Sequence, residues 1–190
     1  MNRSSFIFSM VTIAGSCAAQ IPTDLQRLLE AADRQVVRLN PAAFHELPKN
    51  LLAELKRRGC TVPQVPMIEG RQNVIKGEFA KPGQTDWAVL CSVNRISSIL
   101  IFWNGSGANP SDIATMKDVD RLQGWGDDRL VYSRAITPVG KAYIFEHYEA
   151  YGGPKPPPID HQGIDDAFVG KASVVNYFFQ GKWLQLTGAD

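Results

Sequence analysis

Apolar residues in the first part of the chain recur at helical spacing. Leu25, Leu28, Leu29, Ala32, Val36 and Leu39 fall three or four positions apart, which predicts a helix with one apolar face. Arg27, Glu30, Asp33, Arg34 and Arg38 fill the other face. Thr23, with Gln26 three residues on, reads as a capping-box variant, and Asn40-Pro41 ends the run. A shorter helix is expected from Pro48, with Leu51, Leu52 and Leu55 as its stripe. Lys56, Arg57 and Arg58 sit where the helix dipole favours cations, and Gly59 suits the position just past the end.

Near residue 70 the period changes to two. Asn73 to Phe79 alternates, Lys81-Pro82-Gly83-Gln84 is a turn, and Asp86 to Cys91 is a strand. Val93-Asn94-Arg95 turns again into Ile96 to Trp103. This predicts a three-strand antiparallel meander over 73–103, and the unbroken Ile99-Leu100-Ile101-Phe102-Trp103 run marks its last strand as central. Residues 104–111 read as a loop and 112–128 as irregular chain. Arg129 to Arg134 and Lys141 to His147 read as further strands, placed near 129–147. The proline-rich 152–158 stretch is a semi-rigid crossing segment. A hairpin over 172–186, turning at Gln180-Gly181, closes the chain. The expected fold is α+β, with N-terminal helices over 23–59 packed on a largely antiparallel sheet over 73–186, in one domain spanning 20–190.

Composition narrows the class rather than the activity. The 190 residues carry 20 Lys+Arg against 19 Asp+Glu, a formal charge of +1, and are 44% hydrophobic. Such a chain is neither collagen-like, disordered throughout nor a polytopic membrane protein. A net charge this close to zero argues against a nucleic-acid partner held by a basic surface.

The N-terminus changes the compartment. Arg3 in a short polar start, the apolar Phe6 to Ile13 stretch and the small residues Ala14 to Ala19 have the layout of a secretory signal peptide over 1–19. The apolar stretch is too short to span a bilayer, so no transmembrane segment is expected in the mature chain. Lipidation at Cys17 is disfavoured, because Ala14-Gly15-Ser16 lacks the usual leucine ahead of a lipoprotein cysteine. Cleavage after Ala19 would leave Cys60 and Cys91, an even pair in an oxidising periplasmic or extracellular compartment. Pairing is favoured over two free buried thiols, and there is no C-x-x-C to suggest redox chemistry or a zinc site.

Candidate chemistry concentrates between 144 and 166, where five carboxylates accompany two of the three histidines. With the 146–149 segment taken as a strand, Glu146 and Tyr148 share one face and His147 and Glu149 the other. Asp160 to Asp166 is expected on a loop leading into a short helix, with Asp165 as its N-cap. One reading is a divalent-metal site of His147, Glu149, His161 and Asp165 or Asp166; another is a general acid/base pair. Caps, surface charge and a hydrogen-bonded histidine explain the same residues, the spacing matches no established metal motif, and no cofactor is expected. Trp125, flanked by glycines and followed by Asp127, suits contact with a sugar ring or a protein partner, and Tyr148 is a further candidate.

Gly77, Phe79, Gly83, Asp86 and Ala88-Val89-Leu90 follow the G-x-F-x-x-x-G-x-x-D-x-A-V-L pattern, and this stretch resembles one hairpin of an FG-GAP or VCBS-type propeller blade. The resemblance implies a hairpin over 77–90. The calcium loop of those repeats is replaced by Lys81-Pro82-Gly83-Gln84, and one copy does not make a propeller. The whole chain, with its Asp86-to-Cys91 strand and its His161-to-Phe168 segment, also resembles small exported bacterial proteins without an assigned activity. The expected function is therefore that of an exported, non-enzymatic binding module for a protein or carbohydrate partner. The alternative is a small exported hydrolase or metal-binding protein using 146–166.

Overall fold

A computed structural model of the chain describes residues 22–126 and 129–188. The expected signal segment with Cys17, and Asp127, lie outside the described residues. The first helix, α1 (Thr23–Gln35), stops four residues short of the periodic pattern. Its N-cap position is Pro22 and no side chain caps it, so the Thr23–Gln26 box does not form; the Gln26 amide instead reaches Glu30 at 3.0 Å. Arg38 and Leu39 leave the helix as β1 (Arg38–Leu39) because the Arg38 guanidinium is drawn to Asp33 and Asp118. Helix α2 (Lys49–Arg57) follows Pro48 as expected. Gly59, at φ +70°, closes it: its N–H donates to the Lys56 carbonyl and that of Cys60 to the Leu55 carbonyl, the paired bonds of a Schellman end.

After β2 (Val62–Pro63), paired with β1, comes the meander β3 (Val74–Gly77), β4 (Asp86–Val93) and β5 (Ile96–Phe102). Asn94 and Arg95 both take positive φ, giving the two-residue turn that matches strand twist. The β3–β4 connection is organised by the fully buried Asp86. Its carboxylate accepts from the Phe79 and Ala80 amides at 3.0 Å, the Asn104 amide at 2.7 Å and the Gln84 side chain at 2.7 Å. The expected hairpin is present, and β5 is an inner strand. What flanks it is β6 (Ser111–Lys117), in a stretch read as irregular. A register shift at Ser97/Ile99 and the positive φ of Ala114 give β6 a bulge that blurs its alternation.

Hairpin β7 (Leu122–Trp125)–β8 (Arg129–Tyr132) stands beside α1, and β9 (Arg134–Val139) begins the second sheet. Lys141 to His147, expected as strand, is helical: α3 (Lys141–Tyr151) runs to Gly152, whose positive φ ends it. Seven residues of mixed polarity cannot separate a period of two from one of 3.6. Packing settles the matter, since Ile144, Phe145 and Tyr148 meet one core at helical spacing. The 163–168 segment, expected as loop and helix, is β10 (Gly163–Phe168), inner strand of a sheet ordered β12-β11-β10-β9. Strands β11 (Ala172–Phe179) and β12 (Lys182–Thr187) form the expected C-terminal hairpin. All strand pairings among the described residues are antiparallel, and the fold class is α+β.

Alternation along the strands builds the layers. Val89, Cys91, Leu100 and Phe102 face α2, packing on Leu51 and Leu55. Ala88, Leu90, Ile99 and Ile101 face the second sheet and meet Ala135, Ile136 and Ile164. Val175, Tyr177 and Leu186 on the far side pack on Ile144 of α3. The order is thus helix, sheet, sheet, helix, with α1 and the β7–β8 hairpin at the edge of the central core. Cys60 and Cys91 are joined in a disulfide, Cα atoms 5.3 Å apart, tying the end of α2 to β4.

The central core also holds charge. Arg134 and Asp166, both essentially unexposed, pair side by side with two N–H···O contacts of 2.8 Å. Two further Arg134 donors go to the Ser97 and Ala114 carbonyls of the first sheet, the latter turned inward by the bulge. Asp118 accepts from Arg38, Ser92 and Ser97, and Asp33 from Arg38 and Arg95. Asp33, Asp118 and Asp166 are thus each met by at least one arginine, Arg95 reaching in from the surface.

Candidate functional site

Eight large apolar or aromatic side chains are markedly exposed among the described residues, and five of them line two clefts. The first cleft, about 600 Å³, lies between α1, the 64–72 loop and β8. The apolar stripe of α1 is wider than the core beneath it: Leu29, Ala32 and Val36 pack inward, while Leu28 stays 52% exposed. Val37, just past the helix, is 60% exposed and Ile68 36%. These three line the cleft, and Tyr132 forms part of its wall. Two glutamines brace the loop that carries Ile68: Gln64 Oε1 accepts from the Gln72 amide at 3.0 Å, and Gln72 Oε1 from the Val65 amide at 3.1 Å. Trp125, half exposed at the end of β7, sits opposite Arg129, which lines the cleft, and Leu25 lies one turn before Leu28.

The second cleft, about 260 Å³, lies between α3 and the β10–β11 hairpin. Tyr143, His147 and Tyr151, spaced by four on α3, form one edge; Asp165, Lys171 and Ser173 contribute to the other. His147 sits between the two tyrosine rings, with centroids 6.0 and 4.9 Å away. His147 and Asp165 are buried, yet Nε2 of the one and Oδ1 of the other have no hydrogen-bond partner. Burial pushes the His147 imidazole below its ordinary range, against the pull of Asp165. Burial likewise pushes the Asp165 carboxyl up, with the Ser173 hydroxyl and His147 opposing it. Both groups are thereby biased towards neutrality.

The residues singled out in the sequence are partly brought together. His147 and Asp165 share the second cleft; Glu149 is exposed elsewhere on α3. His161 is buried beside β10, its Nδ1 2.9 Å from the Gln162 carbonyl. Asp165 is an inner-strand residue rather than an N-cap, and Asp166 is committed to Arg134. Among the described residues no three His, Cys, Asp or Glu side chains converge as a metal cluster. Tyr148 is half-buried on the α3 core and faces neither cleft. Tyr143, Tyr151 and Ser173 were not singled out. The helical i, i+4, i+8 spacing of Tyr143, His147 and Tyr151 could have found the first two once 141–151 is read as helix.

No protein-family model, no curated protein and no solved structure matches the chain. Among the described residues, no helix is long and apolar enough to cross a membrane.

Proposed function

We propose that the protein is an exported, non-enzymatic binding module that takes an apolar ligand in the cleft between α1, the 64–72 loop and β8. The observation carrying this reading is the exposure of Leu28, Val37 and Ile68 on a single concave surface. A soluble fold gains nothing by leaving the apolar stripe of a helix uncovered, and such surfaces mark binding sites. The volume of about 600 Å³ lies in the range of small-molecule pockets. Export is supported by the Cys60–Cys91 disulfide, which persists in oxidising compartments, together with the signal-like pattern over 1–19.

The test is titration with the neutral apolar dye Nile red, read by fluorescence. A saturable enhancement is expected, weakened about tenfold by Leu28→Glu or Val37→Glu, both exposed and free to change without harming the core. Absence of saturable enhancement, or indifference to both substitutions, overturns the ligand reading. Recovery of the protein only from the cytoplasmic fraction, with residues 1–19 retained and Cys60 and Cys91 reduced, overturns export.

A further inference from the structure

The second cleft is a different kind of surface from the first, and nothing in the apolar-ligand reading uses it. We infer that the cleft between α3 and the β10–β11 hairpin is a second binding site, for a neutral, hydroxyl-bearing ring the size of a monosaccharide.

Four observations converge on that class of ligand. First, His147 and Asp165 are 6% and 8% exposed, line the same cleft, and keep Nε2 and Oδ1 without a partner. Buried polar atoms are almost always satisfied, so two orphans on the two edges of one cleft call for a ligand that supplies partners to both. Adjacent hydroxyls do so: each both donates and accepts, so one donates to the carboxylate while its neighbour meets the imidazole in either tautomer.

Second, the charge of the cleft selects a neutral molecule. Burial biases His147 and Asp165 towards neutrality, so neither offers a charge to an ion, and Lys171, also lining the cleft, opposes a cation. The lack of a third converging His, Cys, Asp or Glu among the described residues leaves a divalent ion underligated. Third, the exposed rings of Tyr143 (39%) and Tyr151 (52%) border the polar pair. A sugar ring presents a C–H face as well as hydroxyl edges, and aromatic rings suit the former. Fourth, about 260 Å³ falls below the roughly 300 Å³ at which drug-sized pockets begin, so one ring is accommodated rather than a chain.

Gly188 shapes the cleft from the third side. A Cβ there would come within 2.7 Å of His147 Cε1 and 3.2 Å of the Ser173 carbonyl, so any side chain at 188 would have to displace the imidazole.

The experiment is a ¹H–¹⁵N NMR titration of the full mature protein with four probes: the methyl glycosides of glucose, galactose, mannose and N-acetylglucosamine. At least one is expected to give saturable shifts confined to 143–151, 165–173 and the neighbourhood of Gly188. Tyr151→Ala, on an exposed ring that leaves the fold undisturbed, should weaken that probe about threefold or more. Asp165→Asn should weaken it about tenfold, whereas Val37→Glu in the first cleft should leave it unchanged. No saturable shift with any probe overturns the proposal, as do shifts indifferent to Tyr151→Ala. Stoichiometric Zn²⁺ binding in a separate titration, abolished by His147→Gln, also overturns it in favour of a metal. Because Nile red and the glycosides report on different clefts, failure of one reading is distinguishable from failure of the other.

Discussion

Asp165 and Asp166 are neighbours in β10, yet the two faces of the second sheet treat them in opposite ways. Alternation sends Asp166 into the space between the sheets, where Arg134 meets both of its oxygens. It sends Asp165 towards α3, where one oxygen has no partner and His147 stands nearby in the same condition. Both carboxylates are buried, so burial alone does not separate a structural charge from a functional one. The difference is satisfaction. A charge that holds layers together is fully paired, while a charge at a binding surface keeps capacity in reserve.

The sharpest way to break this contrast is to remove the paired charge. Arg134→Ala leaves Asp166 buried without its cation and is expected to cost about 3–5 kcal/mol, read by urea denaturation. Asp165→Asn in the same assay should change stability by about 1 kcal/mol or less, on the stabilising side, because burial already disfavours its charge. Equal and large losses from both would show that the two faces are alike.

A second comparison sets the scale for the outer helices. Helix α2 is stapled to β4 through Cys60–Cys91, a link 31 residues apart in sequence, whereas among the described residues no disulfide reaches α3, which packs on Val175, Tyr177 and Leu186. Reduction, or the paired substitution of both cysteines by serine, should cost about 2–4 kcal/mol. Hydrogen exchange should show that loss concentrated in α2 and β4 rather than in α3. Uniform loss across both helices would mean that the staple supports the whole molecule rather than one layer.

The smallest effect expected is that of pH. His147 is held below its ordinary value of 6.5, so the unfolded chain takes up a proton that the folded chain resists. Its contribution to stability is complete above that ordinary value and is lost as the pH falls below it. The raised Asp165 carboxyl acts in the reverse sense, its contribution being present below the ordinary value of 3.8 and lost as the pH rises through its elevated folded value. Between pH 7.5 and 5.5 the thermal midpoint should therefore drop by about 2 °C or less through His147. His147→Gln should flatten that slope; an unchanged slope would mean that the imidazole is not sequestered.

Much of the architecture was legible in local pattern. The meander shows alternation and turn residues at Asn94 and Arg95; α2 shows a stripe, a basic end and Gly59; the C-terminal hairpin shows Gln180-Gly181 between two apolar runs. Each of these elements draws its signal from residues within a few positions of one another. The pairing of Cys60 with Cys91 was expected from the even count that loss of a signal-like 1–19 segment would leave. Less was legible where the partner is distant. Strand β10 reads as polar surface because the cation that lets Asp166 sit inside is Arg134, 32 residues away. Strand β6 hides behind its bulge, and α3 resembles a strand until its neighbours reveal which residues face inward.

The candidate sites divide along the same line. His147 and Asp165 were recognisable as chemistry-bearing residues, whereas Leu25 and Leu28 read only as part of the apolar stripe of α1, and their exposure came with the packing. Whether a given side chain ends up satisfied is another matter. Glu149 on the surface, His161 against the Gln162 carbonyl, Tyr148 in the core and Asp165 in a cleft are outcomes of how α3 and β10 pack. Local spacing governs which face of an element is apolar, because backbone geometry repeats every two or 3.6 residues. The pairing of buried polar groups depends on through-space encounters between segments, which no periodicity records.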